Sequence, residues 1–242
     1  MIPHSRVFFF IFSLIFSSTQ VFASVVINGT RVIYPSSEKE ITLRLENKGD
    51  KSSLVQVWID TGDSSAKVSQ IDVPFIILPP VSRIEPSQGQ TLRISYTGTG
   101  SNLPHDRESV FWLNVLDIPP KPEQQIGNSI QMAFRSRIKL FYRPAELNMS
   151  SDEEQIDKLS WSTKSCGKMQ CVVINNPTPL FLTVSKLELM SGDKVLSTQL
   201  GSMISPYSTD SYPLKYRSGD NSLSIDYIND FGASVKAQIK HE

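Results

Sequence analysis

The chain has 242 residues, of which 39% are hydrophobic and 20% charged, a composition that fits one or two folded domains. It excludes a disordered, collagen-like or coiled-coil protein. Lys and Arg number 24 and Asp and Glu number 24, so no net charge attracts nucleic acid or an anionic membrane. With three His, two of them near the chain ends, neither a His-based metal site nor a His-containing catalytic triad is expected.

The first 23 residues have the pattern of a cleavable signal peptide. The basic residue Arg6 precedes the apolar run Val7–Phe16, and Val21–Ala23 provides the small residues that precede a cleavage site. A membrane anchor is the weaker interpretation, because a spanning helix needs about 20 apolar residues. We therefore predict that residues 1–23 are removed on export and that the mature chain begins at Ser24.

The rest of the chain alternates apolar and polar residues with the period of β-strands. Three such runs precede residue 145, with turn signals between them: Ile41–Leu45, Val55–Ile59 and Leu92–Tyr96. Val110–Leu116 is apolar on both faces, which is typical of a central sandwich strand. A second set follows Leu159: Cys171–Ile174, Leu180–Leu189, Lys194–Leu200, Ser222–Tyr227 and Ala233–Ile239. No stretch has a convincing helical stripe. The pattern predicts an all-β protein with two sandwich domains, at 24–145 and 146–242.

The two cysteines, Cys166 and Cys171, flank a short predicted turn in the second set of strands. In the oxidising compartment that a signal peptide implies, a disulfide between them is the default expectation. Such a short closed loop contributes roughly 2 kcal/mol to stability in the chain-entropy interpretation. The bond is therefore predicted to reduce local fraying without deciding the fold.

The segment from Ile130 to Arg143 reads as a long strand with two different faces. One face is mainly apolar and begins with Ile130, Met132 and Phe134, whereas the other carries the basic residues Arg135, Arg137, Lys139 and Arg143. Its fourteen residues would span roughly 46 Å, which is long for a strand. Two interpretations fit the pattern: a core strand with a solvated basic face, or an overhanging edge that presents apolar side chains to a partner strand.

A series of motifs in a fixed order covers residues 25–232. They are Gly29–Tyr34, Pro79–Pro86, Leu103–Asn114, Ile118–Pro120, Arg137–Pro144, Ile174–Pro179 and Tyr227–Gly232. Together they resemble the periplasmic pilus-assembly chaperones of the PapD-like family. The nine residues Lys121–Ser129 before the long strand are similar to the short-loop class of that family. The resemblance implies two immunoglobulin-like β-sandwich domains in a boomerang arrangement, with a subunit-binding cleft between them.

The resemblance implies a periplasmic chaperone that is not an enzyme and uses no cofactor or metal. It would bind, fold and cap pilin subunits by donor-strand complementation and deliver them to an outer-membrane usher. Ile130, Met132 and Phe134 would be the donor-strand residues that fill pockets of the subunit. Arg31 and Lys139 would bind the subunit's C-terminal carboxylate. The same donor strand would also allow self-association.

Glu108, Arg143 and Asp230 match the family positions that form an interdomain ion network. The resemblance implies that this network sets the angle between the domains. Exposed ion pairs contribute only about 0–1 kcal/mol, so we expect its contribution to stability to be small.

Two other functions are weighed against the chaperone interpretation. His105, Asp106 and Ser109 are residue types of a catalytic triad, but they lie in one short segment that lacks a nucleophile-elbow glycine pattern. No catalytic residue is therefore predicted. The second alternative is a secreted pilin or adhesin subunit of immunoglobulin-like fold. Such a subunit has one incomplete domain and a disordered N-terminal extension, whereas this chain predicts two domains and strand sequence immediately after the signal peptide.

Overall fold

The computed structural model describes residues 25–98, 103–121, 131–147, 152–167, 169–213 and 222–242. The predicted signal peptide, the donor-strand residue Ile130 and the loop of residues 122–129 lie outside this part of the chain. Strands dominate the described residues and form two β-sandwich-like domains, which confirms the predicted all-β fold. None of the helices in these ranges has the length and apolar character of a membrane-spanning segment.

The N-terminal domain consists of two packed sheets. Its strands are β1 (Val25–Ile27), β2 (Arg31–Pro35), β3 (Ile41–Asn47), β4 (Ser53–Asp60), β5 (Phe75–Leu78), β6 (Val81–Ile84), β7 (Gly89–Tyr96), β8 (Ser109–Ile118) and β9 (Phe134–Arg143). A short 3-10 helix, Val68–Gln70, lies between β4 and β5. One sheet has the order β1-β3-β7-β5, and the other has the order β2-β9-β8-β4-β6.

The core of this domain follows from the strand period. In β3, Leu43 and Leu45 are buried, whereas Thr42 and Arg44, which alternate with them, are exposed. Tyr34 on β2 is fully buried, yet its hydroxyl lies 3.1 Å from the Glu38 carbonyl and accepts a hydrogen bond from the Tyr96 amide at 2.9 Å. Burial of this phenol is tolerated because its polar atom is satisfied.

Strand β9 begins at Phe134 and has ten residues, so the predicted fourteen-residue strand is too long. Its first pair with β8 is Phe134 opposite Asp117. Beyond this pair, β8 ends at Ile118 and is followed by Pro119 and Pro120, which have no N–H group to donate to a ladder. Met132 therefore lies just before β9 and not within it.

The C-terminal domain contains one short helix and eight strands in the described residues. They are α1 (Asp152–Lys158), β10 (Ser160–Cys166), β11 (Met169–Asn176), β12 (Leu182–Ser191), β13 (Lys194–Leu200), β14 (Met203–Ile204), β15 (Ser208–Tyr212), β16 (Ser222–Ile228) and β17 (Ser234–His241). The sheet order is β13-β12-β16-β17-β10-β11-β15, and β14 pairs with β12. Helix α1 was not predicted, because its seven residues are too few to show a helical period.

Cys166 and Cys171 are disulfide-bonded, as predicted, with their Cα atoms 5.8 Å apart. The bond connects the end of β10 to the beginning of β11, two antiparallel neighbours. Gly167 begins the connecting turn with a φ of +64°, a conformation that glycine adopts without a Cβ clash. The disulfide therefore closes a hairpin that the backbone ladder already holds.

Replacement of both cysteines by Ala should lower the free energy of unfolding by about 2 kcal/mol or less, because only a short loop is released. Denaturant unfolding of the double variant checks the magnitude. Thiol labelling of the native, non-reduced wild-type protein should find no accessible thiol. Two labelled thiols, or a double variant that cannot fold, would contradict this assignment.

Candidate functional site

Strands β2 and β9 of the N-terminal domain lie where the two domains meet. The rings of Phe141 on β9 and Phe181, just before β12, have their centres 5.6 Å apart. The Lys139 Nζ lies 3.4 Å from the Thr183 Oγ1. These four residues define what we call the domain junction. The outer face of β9 therefore points towards the C-terminal domain at Lys139 and Phe141.

Arg31 and Lys139 form a pair of cations at this junction. They are direct partners in the parallel β2–β9 ladder, so their side chains leave the same face of the sheet, and both are half-buried. The Arg31 guanidinium lies 5.5 Å from the centre of the Phe141 ring, and the Lys139 ammonium 5.7 Å from that of Trp112. Burial, together with the Arg31 charge, lowers the pKa of Lys139. A carboxylate bound here would stabilise both cations.

Strand β9 is paired on both sides along only part of its length. Residues 139–142 pair with both β2 and β8, and Arg143 pairs with β2, whereas residues 134–138 pair with β8 alone among the described strands. We call residues 134–138 the open half of β9. Its outer edge presents backbone N–H and C=O groups that a further strand could use. Phe134 within it is 60% exposed, and Met132, just before it, is 57% exposed.

A buried carboxylate at the end of β4 contacts the open half of β9 from the outer face of the sheet. Asp60 is 1% exposed; it accepts hydrogen bonds from Arg137 and, at 2.8 Å, from the Asn114 amide, and Arg135 lies 3.5 Å away. Burial acts to raise the pKa of Asp60, but the hydrogen bonds from Arg137 and Asn114 outweigh it and hold the pKa below its usual value. The carboxylate is therefore ionised at neutral pH.

Nothing in the sequence around Asp60 marks it as a site residue. It is 75 residues from Arg135 and 77 from Arg137, so no local motif connects them. A lone acidic residue at the end of a strand is usually a solvated charge. Only the register of β4, β8 and β9 brings these groups together.

Arg143 connects the two domains through two carboxylates. Its Nε donates to the Glu108 Oε1 at 2.7 Å, and its two Nη atoms donate to the Asp230 carboxylate at 2.7 and 2.9 Å. The other Glu108 oxygen accepts a hydrogen bond from the Phe181 amide at 2.8 Å. Glu108 and Arg143 belong to the N-terminal domain, whereas Phe181 and Asp230 belong to the C-terminal domain.

This ion network is more buried than the sequence analysis assumed. The Glu108 side chain is 2% exposed and that of Arg143 22%. Burial raises the pKa of Glu108 although Arg143 opposes the shift. For Arg143, burial acts to lower the pKa, but the hydrogen bond to Asp230 and the Glu108 charge outweigh it and raise the pKa. The prediction of a small contribution assumed exposed ion pairs, and this assumption is wrong for Glu108. Removing one partner of a buried pair lowers the free energy of unfolding more than removing one partner of a surface pair.

Within the described residues, no three His, Cys, Asp or Glu side chains group closely enough to hold a metal ion. The site instead consists of a strand edge, two cations and an ion network. These features are suited to binding a polypeptide segment with a terminal carboxylate.

Replacement of Asp230 by Ala should loosen the angle between the domains while each domain stays folded. The change removes both bonds from Arg143 across the junction but keeps the Glu108–Arg143 pair. Small-angle X-ray scattering should differ from that of the wild type, and the free energy of unfolding should fall by about 1–3 kcal/mol.

The matched control is Asp226→Ala, which breaks an ion pair with Lys186 inside the C-terminal domain. Its scattering should match that of the wild type. Superimposable scattering from Asp230→Ala and the wild type would argue against a role of the network in setting the domain angle.

Comparisons with known proteins cover both domains. The family described as "Pili and flagellar-assembly chaperone, PapD N-terminal domain" matches residues 24–148. The family described as "Pili assembly chaperone PapD, C-terminal domain" matches residues 154–239. The probable fimbrial chaperone YadV of Escherichia coli K12 is 41% identical over 243 residues, which cover 98% of this chain and 97% of YadV.

Solved structures agree with these matches. The crystal structure of the Pseudomonas aeruginosa CupB2 chaperone has a TM-score of 0.74 at 34% identity and covers 90% of this chain and 100% of CupB2. The Salmonella enterica SafA pilin in complex with the SafB chaperone contains a chain with a TM-score of 0.73 at 26% identity, which covers 92% of this chain and 97% of that one.

Both matched domains are chaperone domains, so the alternative of a pilin or adhesin subunit is not supported. The role of the family is that of a periplasmic chaperone and is not enzymatic. Because the similarity spans both domains and nearly the whole chain, the protein belongs to the PapD-like family of pilus-assembly chaperones, as the sequence motifs predicted.

Proposed function

We propose that this chaperone binds pilin subunits by lending them the open half of β9 as a strand, and that it delivers them to an outer-membrane usher. The observation that supports this most directly is the position of Arg31 and Lys139 at the end of the open half. The open edge of β9 therefore ends at a pair of cations that could bind a carboxylate, where the β2–β9 ladder begins. A subunit strand could therefore add to the edge and be anchored by its terminus.

Charge favours one direction for the added strand. Strand β2 occupies the ladder from Arg31 onward, so a strand added to the open half must stop before Arg31. A strand parallel to β9 would bring its C-terminal carboxylate to Arg31 and Lys139, whereas an antiparallel strand would bring an N-terminal ammonium to the same two cations. Like-charge repulsion disfavours the second arrangement. Charge-assisted hydrogen bonds of about 1.5–3 kcal/mol each would fix the register of the parallel strand.

Apolar side chains of the donor segment would supply the remaining affinity. Met132 and Phe134 are more than half exposed, and we propose that they enter successive pockets of the subunit, with Ile130 as the third member. Each buried side chain contributes roughly 1.5–3 kcal/mol before ordering costs are subtracted. These exposed side chains are stabilised only when a partner covers them.

A solved complex of a related protein supports this partner class. The SafB chaperone has been solved with the SafA pilin. Chaperone–pilin pairs are an established case of strand addition, in which backbone hydrogen bonds supply affinity and side-chain pockets supply specificity. We infer the same partner class here. The open half of β9 would equally accept the edge of a second copy, so self-association is expected to compete with subunit binding.

Arg31→Ala and Lys139→Ala should each leave a folded protein that no longer retains subunits. The carboxylate would enter a partly desolvated junction with half its partners missing, which costs about 2–5 kcal/mol, or roughly 30- to several-thousand-fold in affinity. Since burial and Arg31 already disfavour the charged form of Lys139, its removal should not lower the melting temperature. Co-purification from the periplasm, with mass identification of the bound subunit, measures retention.

Arg93→Ala and Lys164→Ala are matched controls, because both residues are exposed and lie on β7 and β10, which contribute no residue to the domain junction. They should retain subunits as the wild type does. Met132→Ala should weaken binding by less than loss of either cation, because one apolar contact is lost while the register survives. If both cation variants retain subunits like the wild type, the proposed mechanism is wrong.

We further propose that the chain reaches the periplasm by means of a cleaved signal peptide, residues 1–23. The family is periplasmic, and its N-terminal match starts at residue 24, immediately after the predicted cleavage site. We also infer domain limits of 24–145 and 146–242. Strand β9 ends at Arg143 and helix α1 begins at Asp152, so residue 145 lies in the connection between the domains.

Intact-mass measurement of the periplasmic protein should find an N-terminus at Ser24. The physical reason is that the small residue Ala23 follows the apolar run Val7–Phe16, which is too short to span a membrane. A mass that includes residues 1–23 would overturn the assignment.

A further inference from the structure

Among the described strands, the open half of β9 pairs with β8 alone, so its order in the unbound protein depends on that single ladder and on the contacts of its side chains. Phe134 is exposed and contributes little, whereas Arg135 and Arg137 lie on the opposite face of the strand. Their side chains are 30% and 21% exposed and contact neighbouring strands. The contacts of these two arginines therefore add to the β8 ladder in holding the strand.

Both arginines converge on Asp60. This carboxylate accepts a hydrogen bond from Arg137, lies 3.5 Å from Arg135, and is itself held by the Gly62 amide at 2.7 Å. Arg135 also donates to the side-chain Oδ1 of Asn114 through Nε at 2.9 Å and through Nη2 at 2.7 Å. One buried charge on β4 thus connects β4, β8 and the open half of β9.

Two tryptophans complete the arrangement. The Arg135 guanidinium lies 4.8 Å from the centre of the Trp58 ring, and the Arg137 guanidinium lies 4.3 Å from that of Trp112. A planar guanidinium that stacks on an indole and binds a carboxylate has little freedom to change rotamer. We call Asp60, Arg135, Arg137, Trp58 and Trp112 the outer-face ladder.

We propose that Asp60, through the outer-face ladder, is a positioning residue that preorganises the open half of β9 for strand addition. This inference rests on the proposed function. Side chains alternate along a strand, so anchoring of Arg135 and Arg137 on one face leaves Phe134 on the other face and keeps the backbone edge uncovered. A strand that is already ordered loses less conformational entropy when a subunit binds, and affinity rises accordingly.

The test compares Asp60→Asn with the control Asp72→Asn, an equal charge change at an exposed loop residue. Amide hydrogen exchange of the unbound proteins should show exchange at residues 134–138 that is about tenfold faster or more in Asp60→Asn, because charge-assisted bonds are lost. Amides of β3 and β7, in the opposite sheet, should exchange as in the wild type. Asp72→Asn should match the wild type throughout.

Two exchange results would overturn the inference. If residues 134–138 of Asp60→Asn exchange at the wild-type rate, the outer-face ladder does not order the strand. Equal acceleration in β3 and β7 would show that Asp60 supports the domain as a whole and not this strand. If Asp60→Asn does not fold, Arg137→Gln removes one partly exposed member of the ladder and is judged by the same measurements.

A second measurement follows dissociation of the pilin that co-purifies with the wild-type chaperone. Its dissociation from Asp60→Asn should be about tenfold faster than from the wild type or from Asp72→Asn. Faster exchange with unchanged dissociation would overturn the inference, since order in the strand would then not matter for binding. Failure of the wild type to capture any subunit would count against the proposed function alone, because exchange in the unbound chain still decides whether Asp60 orders the strand.

Discussion

The backbone ladder of β9 is the interaction on which the rest of this structure depends. Its second half, held between β2 and β8, carries Tyr142 into the N-terminal core and Arg143 to the C-terminal domain. Among the described strands, its first half has no second neighbour, because β2 starts only at Arg31. The chain changes sheets just before that point: β1 pairs with β3 in the opposite sheet, and Gly29 turns with a φ of +138°. A short β2 therefore creates the open edge.

An unpaired strand edge is a hazard in solution, and this one is protected by its own side chains. The basic residues Arg135 and Arg137 alternate with the exposed Phe134 and Ser136, which discourages indiscriminate pairing with apolar strands. At the end of the edge, Lys139 adds a cation beside Arg31 and contacts the C-terminal domain through Thr183. The same strand thus combines an open edge, one member of the cation pair and a contact with the C-terminal domain. A change in the angle between the domains would therefore alter the surroundings of Arg31 and Lys139 directly.

Much of this was predictable from local pattern, and the exceptions have physical causes. The alternation in β3 and β4 marks strands with one buried face, so their positions follow from sequence alone. Strand β15 (Ser208–Tyr212) has only one apolar residue and forms because β11 provides a partner ladder. The start of β9 was predicted four residues early. The apolar alternation of its sequence extends back to Ile130, but its partner β8 ends before Pro119 and Pro120 and offers no ladder there.

Local period and short motifs in the sequence are sufficient for the all-β class, the two sandwich domains, the family and the disulfide between Cys166 and Cys171. The cation pair and the ion network were predicted from the resemblance to that family, because single charged residues on strands carry no such signal. The tertiary structure was needed to show that residues 134–138 have no second neighbour among the described strands, that Glu108 is buried, and that Asp60 contacts Arg135 and Arg137. Those properties depend on the register of strands far apart in the chain, and no local pattern of side chains encodes that register.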